Sequence, residues 1–450
     1  MRWLLLLCLV GCGGRHTDPP ARGASQGPGG KGRLVVVSID GLMPEAWLHP
    51  DAHGLKIPTL RSLVARGVHA EAVQGVFPTV TYPSHTTLAT GVAPAVHGIT
   101  TNKPPDPFGK NHDGWRWYAE DIKVPTLWQA VEGQGRPVGL VTWPVTVGAK
   151  VTWNVPEYWR TYGEDDQKLQ RALSTPGLLD RVAAASPDLW KYLTPPDVRD
   201  EAQFMIARYL VTHEKPELLM VHAWGLDDAQ HDHAPWSAEA MAALENVDRL
   251  LGELLATLEA QPEWARTTFV VVSDHGFAPI DKEIRLDARF VERGLIKLDG
   301  NGDGKTVDAK VAVVASGGMA LVYVLDPAAD AAVRAALDGI EGVARRFEGA
   351  EIRARGGDPA AAYALGAAPG YGFADKRHAR EVIGAVPGKG THGFPPDEPA
   401  MASTFLAVGP HLPVADLGKI EMLDIAPTLA RWVGVELPAP ARPGLTIPRR

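Results

Sequence analysis

The sequence predicts an α/β protein with a mainly parallel central sheet flanked by helices on both faces. Three observations carry that prediction. Continuous β-branched or apolar runs recur along the chain: Arg33–Ile39 (RLVVVSI), Glu217–His222 (ELLMVH), Thr268–Ser273 (TFVVVS) and Thr404–Val408 (TFLAV). Such runs suit strands buried on both faces. Helix-period stretches separate them, the alternation expected of a parallel sheet with helical connections. Finally, Asp40, Asp227 and Asp274 each fall just after a strand-like run, and ligands in open parallel sheets gather at the carboxyl ends of the strands.

Along the chain, Arg2 precedes a short apolar run from Trp3 to Val10. The run is too short to span a bilayer and reads as an export signal. It ends in Leu9-Val10-Gly11-Cys12, which resembles the bacterial lipobox, so residues 1–11 are expected to be a lipoprotein signal peptide and Cys12 a lipidated N-terminus. Lipidation would attach the protein to a membrane, in the periplasm or cell envelope. The other cysteine, Cys8, lies inside the leader, so stability is expected from the core and not from disulfides. Residues 12–32 are rich in Gly and Pro and read as a flexible tether.

Residues 33–450 are expected to form one catalytic domain, and a hydrophobic content of 45% is ample for a large core. The formal charge is −8 with no Lys/Arg block, which argues against nucleic-acid binding. Between Ser237 and about Ala260, Met241, Leu244, Val247, Leu251, Leu254 and Leu258 recur at three and four residues, the stripe of an amphipathic helix. Residues from about 287 to 385 read as a small α+β insertion, with a strand at Ala320–Leu325 and a helix from about Pro327 to Gly339. An irregular region from about 143 to 193 is expected to form part of a cap over the site.

Six metal-type side chains lie on four separated segments: Asp40 in VVVSIDG, Asp227 and His231 in GLDDAQH, Asp274 and His275 in VVVSDHG, and His392 in GTHGF. The Asp227/His231 spacing can place two ligands on one side of a helical turn. Adjacent residues on a strand point to opposite faces, so Asp274 and His275 can share a site only where the strand has ended; Gly276 is expected to permit that turn. The nitrogen-rich donor set favours zinc over magnesium or calcium. One zinc ion is assigned to Asp227, His231 and His392, and a second to Asp40, Asp274, His275 and the Thr81 oxygen. Pro83 suits the first turn of a helix, which would put Thr81 at a helix N-terminus, where anions are favoured. Bound to a dication, a threonine hydroxyl becomes a competent nucleophile. Thr79, Ser84 and Thr86 are competing hydroxyls nearby.

The segments VVVSIDG, FPTVTYPSHTTLATGVAPAVHGIT, DDAQHDHAP, VVSDHGF and THGF, with TFLAVGP and LDIAPTLARWVGVELP following, resemble the nucleotide pyrophosphatase/phosphodiesterase family of the alkaline phosphatase superfamily. The resemblance runs from about Leu34 to Leu437. It implies an alkaline phosphatase-like fold, a two-zinc site, a covalent phosphothreonine on Thr81 and hydrolysis by a second in-line attack. Two departures stand out. The family's nucleophile loop usually reads Thr-Phe-Pro-Asn, its Asn holding a phosphate oxygen, whereas this chain has Thr81-Tyr82-Pro83-Ser84. Ser84 or Asn102 is left to donate there. The family's Glu-Pro-Ile-Trp segment is replaced by Lys123-Val124-Pro125-Thr126-Leu127-Trp128, so its substrate-pocket contacts do not carry over.

The function expected is hydrolysis of a phosphodiester or pyrophosphate bond in a nucleotide-like small molecule. The rival on the same core is a phosphomonoesterase or phosphonate hydrolase. A rival of another class is a surface lipoprotein that binds a ligand without turning it over.

Overall fold

In a computed structural model, residues 32–447 are described apart from 113, 161–162, 194–199, 301–303, 377–378, 380 and 439. The leader, Cys12 and the tether up to residue 31 therefore lie outside the described residues.

The largest sheet has eight strands: β1 (Arg33–Ile39), β2 (Val68–His69), β3 (Val138–Val141), β4 (Trp153–Val155), β5 (Leu218–Ala223), β6 (Thr267–Val272), β7 (Phe405–Val408) and β8 (Ala415–Asp416). Their spatial order is β8-β2-β7-β6-β1-β5-β3-β4. β1 sits between β5 and β6, parallel to both, with Leu34 opposite Leu218 and Arg33 opposite Thr267. β3 and β4 extend the parallel run. Alternate residues of β1 point to opposite faces, so Val35, Val37 and Ile39 enter one core while Leu34 and Val36 enter another. Both faces of the strand are thus dry, as its unbroken apolar run predicts.

The sheet is mixed, a correction to the mainly parallel arrangement expected. β7 runs antiparallel to both β6 and β2. Its apolar run is as buried as those of its neighbours, and burial is what the sequence pattern reports. Direction depends on how the preceding segment returns to the sheet, and hydropathy does not encode it.

The predicted stripe helix spans Ala238–Glu259, and the Ser237 hydroxyl accepts from Ala240 N at its start. Leu244, Val247, Leu251, Leu254 and Leu258 enter the core on one face of the sheet. Asp248 on the same helix accepts from the backbone of Thr59 and Leu60, which satisfies the first N–H groups of the Pro58–Arg66 helix, a start with no cap of its own. The Ile425–Val433 helix packs on the opposite core through Ile425, Leu429 and Val433.

The region expected to be an insertion carries a four-stranded antiparallel sheet, in the order Val311–Ser316, Met319–Val324, Tyr363–Ala367 and Val343–Glu348. It has a helix at Asp330–Ala336 and an apolar core that includes Val322, Val333 and Leu365. Its root is a pairing the sequence did not suggest. Ala278–Ile284 pairs antiparallel with Ile383–Thr391, setting Thr391 opposite Ala278. That pairing returns the chain to the end of β6 and delivers His392 beside His275. Part of the expected cap is not irregular: its Trp153–Val155 stretch is the edge strand β4.

Candidate active site

Five of the six metal-type residues follow strands of the parallel run, and His392 comes to them from the end of the Ile383–Thr391 strand. Asp40 follows β1 directly. Asp274 and His275 follow β6, and the Asp274 carboxylate accepts from Gly41 N at 3.2 Å, which ties the two strand ends together. Gly276 is required there for a different reason from the one expected. A Cβ on it would meet the Ala400 carbonyl oxygen at 2.0 Å, so close backbone packing decides and not a left-handed turn. Beyond β5 the Gly225–His233 helix carries Asp227 and His231 one turn apart. Asp200 accepts from the N–H groups of Trp224 and Gly225 and so anchors the start of that helix.

The six side chains converge. Ligand atoms of Asp227, His231 and His392 lie within 4.8 Å of one another, as do those of Asp40, Asp227 and His275. Asp227, expected in one group only, faces both. Asp274 Oδ2 reaches His275 Nε2 at 3.1 Å. His275 and His392 stack, ring centroids 3.6 Å apart and 7° from parallel.

Donor chemistry fits divalent cations. Nδ1 of His231, His275 and His392 faces the backbone carbonyls of Gly390, Gly276 and Thr79 at 3.1, 3.2 and 3.2 Å. With Nδ1–H donated there, the neutral form of each ring presents an Nε2 lone pair to the cluster. Gly390 makes the first contact possible, since a Cβ on it would strike the Gln230 carbonyl oxygen at 2.4 Å. Opposite these nitrogens, Asp40 Oδ1, Asp227 Oδ1 and Asp274 Oδ2 are buried without a hydrogen-bond partner. Burial, then Asp274 and Asp227, push the Asp40 carboxyl well above its usual range. Burial opposes charge on His275, yet Asp274 and Asp40 hold its imidazole up to about 9. Burial and the neighbouring His275 and His231 hold His392 well below the ordinary imidazole value. Unpartnered buried oxygens are costly, and a dication at each cluster would satisfy them.

Thr81 is the first residue of the Thr81–Thr90 helix, whose N-cap residue, Val80, offers no side-chain cap. Its Oγ1 lies 3.5 Å from His275 Nε2. The competing hydroxyls are engaged elsewhere or enclosed. Thr79 donates to the Phe394 carbonyl, Thr86 donates to the Tyr82 carbonyl, and Ser84 is fully buried with an unpartnered hydroxyl. Asn102 Oδ1 accepts from Tyr82 N at 2.9 Å, which fixes the amide so that its NH₂ remains as a donor. His97 acts at a turn, its Nδ1 accepting from Ile99 N.

Two cavities meet at this point. The larger, about 510 Å³, is bounded by Thr81, Asp40 and Asp227 and by aromatic walls from Trp115, Tyr158, Trp159 and Trp224. The smaller, about 210 Å³, runs past Lys103 to Val313–Gly317. Asn102, Trp115, His231 and His392 line both; Ser84 lines neither. Among the described lining residues the larger cavity has no Lys or Arg, and it includes Asp166 and Asp228.

Sequence reasoning missed His222 and Glu157. His222 Nε2 is 3.0 Å from Asp40 Oδ2, and its Nδ1 is 2.7 Å from Glu157 Oε2. The one available signal was a histidine inside the apolar run ELLMVH. His85 also lies beside the cluster: its Nδ1 faces the Thr81 carbonyl at 2.8 Å and its Nε2 the Ser38 hydroxyl at 2.8 Å.

Strand-end carboxylates, imidazoles whose Nε2 atoms face them and a threonine at a helix start make this an α/β protein with side-chain clusters suited to divalent metal ions. The chain belongs to the type I phosphodiesterase / nucleotide pyrophosphatase family, whose profile matches residues 34–395. It is similar to ectonucleotide pyrophosphatase/phosphodiesterase family member 1 of Mus musculus, 26% identical over 54% of this chain and 24% of that one. It is also similar to a bis(5′-adenosyl)-triphosphatase of Bos taurus, 25% identical over 64% of this chain and 56% of that one. This chain thus spans less than two thirds of either relative's length. Its fold resembles that of inactive murine ectonucleotide pyrophosphatase / phosphodiesterase 5, solved in complex with AMP: TM-score 0.64 and 21% identity over 91% of this chain and 96% of that one. Among the described residues no helix is long and apolar enough to cross a membrane.

Proposed function

We propose that the chain hydrolyses phosphodiester or pyrophosphate bonds with Thr81 as nucleophile, at a site holding two zinc ions. The observation that carries the reading is the position of Thr81 Oγ1, 3.5 Å from His275 Nε2 at the border of the clustered ligand atoms. One ion is assigned to Asp227, His231 and His392. The other is assigned to Asp40, Asp274 and His275 with Thr81, and Asp227 borders it. When bound, such ions supply Lewis-acid neutralisation of phosphate charge and favour the ionised form of a nearby hydroxyl.

Thr81 Oγ1 attacks phosphorus, the bond to one ester oxygen breaks, and the alcohol departs with the proton that Thr81 gave up. Water then attacks the phosphothreonine in line, which restores the Thr81 hydroxyl and releases the phosphomonoester. The Asn102 amide N–H donates to a non-bridging oxygen during both steps. Ser84, enclosed inside its helix, has no part in this scheme.

A diester has two organic arms, and two cavities meeting at Asn102 support it over a monoester. Aromatic walls suit a flat or apolar arm such as a nucleoside, and AMP occupies a structural relative. The carboxylates of the larger cavity disfavour an anionic arm there. Residues 33–450 are proposed as the catalytic domain, with the 287–385 region as an insertion and part of 143–193 walling the larger cavity. Export and lipid anchoring at Cys12 rest on the leader sequence alone.

The test compares an aryl phosphodiester with the matching monoester, with zinc content measured on the same preparation. Faster diester turnover that is lost on chelation is expected. Monoester turnover faster by orders of magnitude would favour the phosphatase or phosphonate reading, and a zinc-free protein with no turnover would favour the binding protein.

A further inference from the structure

Behind the clustered ligands runs a second buried chain of polar groups that takes no part in the bond-making steps. His222 lies near the end of β5, its Nε2 3.0 Å from Asp40 Oδ2. Its Nδ1 is 2.7 Å from Glu157 Oε2 and 3.2 Å from the Thr142 carbonyl. Glu157 Oε1 accepts from the Tyr82 hydroxyl at 2.8 Å. Asp40, Tyr82, Glu157 and His222 are all buried. Both ring nitrogens of His222 thus face carboxyl oxygens, and the ring is held at two edges.

That grip has a consequence for Asp40. One of its oxygens is tied back to His222, while the other, Oδ1, has no hydrogen-bond partner and faces His275 Nε2 at 3.3 Å. The carboxylate is therefore fixed with one oxygen toward the cluster. At its far end the chain reaches Tyr82, the residue after Thr81. A ligand and the helix start that presents the nucleophile are joined through three side-chain contacts.

We propose that His222 is a positioning residue, held by Glu157 and Tyr82, that turns Asp40 Oδ1 toward a bound dication and couples that ligand to the Thr81 turn. The proposal rests on the two-cation reading of the site. Partners behind metal ligands tune metal affinity by roughly 10–100-fold. Removing His222 also leaves two buried carboxyl groups, Asp40 and Glu157, without their shared hydrogen-bond partner.

The experiment measures divalent-ion affinity by competition with a chromophoric chelator, and the visible absorption bands of the cobalt-loaded protein. In His222→Leu, affinity at one of the two sites is expected to fall about 10–100-fold, with shifted cobalt bands. Glu157→Gln and Tyr82→Phe should move the same bands in the same direction by less. The double change His222→Leu/Glu157→Gln should cost less than the two single changes combined, because the second partner has already lost its contact. His222→Gln, which can still donate to Asp40, should recover part of the affinity. A histidine that only fills space would move neither the bands nor the coupling.

Folded His222→Leu protein with wild-type affinities and unshifted bands would overturn the proposal. Should that variant fail to fold, unshifted bands in both Glu157→Gln and Tyr82→Phe would overturn it equally. A wild-type protein that binds no divalent ion would overturn the two-cation reading and this inference with it, an outcome distinct from normal binding that the variants leave unchanged.

Discussion

The imidazoles of His275 and His392 lie face to face at 3.6 Å, although one ends a strand of the main sheet and the other leaves the root of the expected insertion. Two cationic rings would repel at that distance. Without a metal the pair divides its charge: Asp274 and Asp40 hold His275 up to about 9, while burial and His275 itself hold His392 far down. A metal ion needs the neutral form of both. At pH 7 His275 must then give up a proton. Zinc binding should release about one proton at pH 7. Affinity should rise with pH and level off near 9. Calorimetry in buffers of different ionisation enthalpy counts those protons; zero release at pH 7 would contradict the assignment.

Thr81→Ala should abolish diester turnover, by at least ~10³-fold, and leave zinc content unchanged. The six ligand side chains reach the site from other segments of the chain, and Thr81 opens a helix that alanine also supports. Thr81→Ser should retain measurable turnover. Elemental analysis beside the rate assay separates a lost nucleophile from a lost metal, and retained activity in Thr81→Ala would mean that water or another hydroxyl attacks.

Asn102 and Ser84 make opposed predictions. Asn102→Asp keeps an oxygen to accept from Tyr82 N but removes the amide donor and adds negative charge at the meeting point of the two cavities. A fall in kcat of about 10²-fold or more is expected. Ser84→Ala removes a buried hydroxyl that has no partner, so activity and stability should change little. If Ser84→Ala cost as much as Asn102→Asp, the phosphate donor would have been misassigned.

How much of this was legible in the sequence differs from element to element. The strands at Arg33, Leu218 and Thr267 and the helix capped by Ser237 were legible, because burial on two faces and a 3.6-residue stripe both leave periodic marks. The four ligand segments were legible because strand ends and glycines bracket them. The antiparallel direction of Phe405–Val408 left no mark, since a strand buried on both faces reads the same in either direction. His222 and Glu157 were not found, because their role arises from a contact between β5 and the segment after β4 and has no spacing signature. Ser84 was weighed equally with Asn102 because spacing does not report which way a helix side chain faces.

His97 gives the fold an acid-sensitive point away from the metal-type ligands. Its Nδ1 accepts from Ile99 N at 3.2 Å, and its Nε2 lies 3.1 Å from the Thr87 hydroxyl, which donates onward to the Val92 carbonyl. That chain needs a neutral ring with the hydrogen on Nε2. Burial accordingly pushes the imidazole down to about 3. Because the folded value is depressed, the unfolded chain binds the proton more readily between about 6.5 and about 3. The stabilisation is complete above pH 6.5 and is lost as pH falls through that window, with a slope of up to ~1.4 kcal/mol per pH unit for one proton. Protonation would also set an N–H on Nδ1 against the Ile99 N–H. His97→Gln should lower stability at pH 7 and flatten the fall between pH 6.5 and 4, as read from urea midpoints on zinc-loaded protein. If wild type and variant lost stability in parallel over that range, His97 would not be the group responsible.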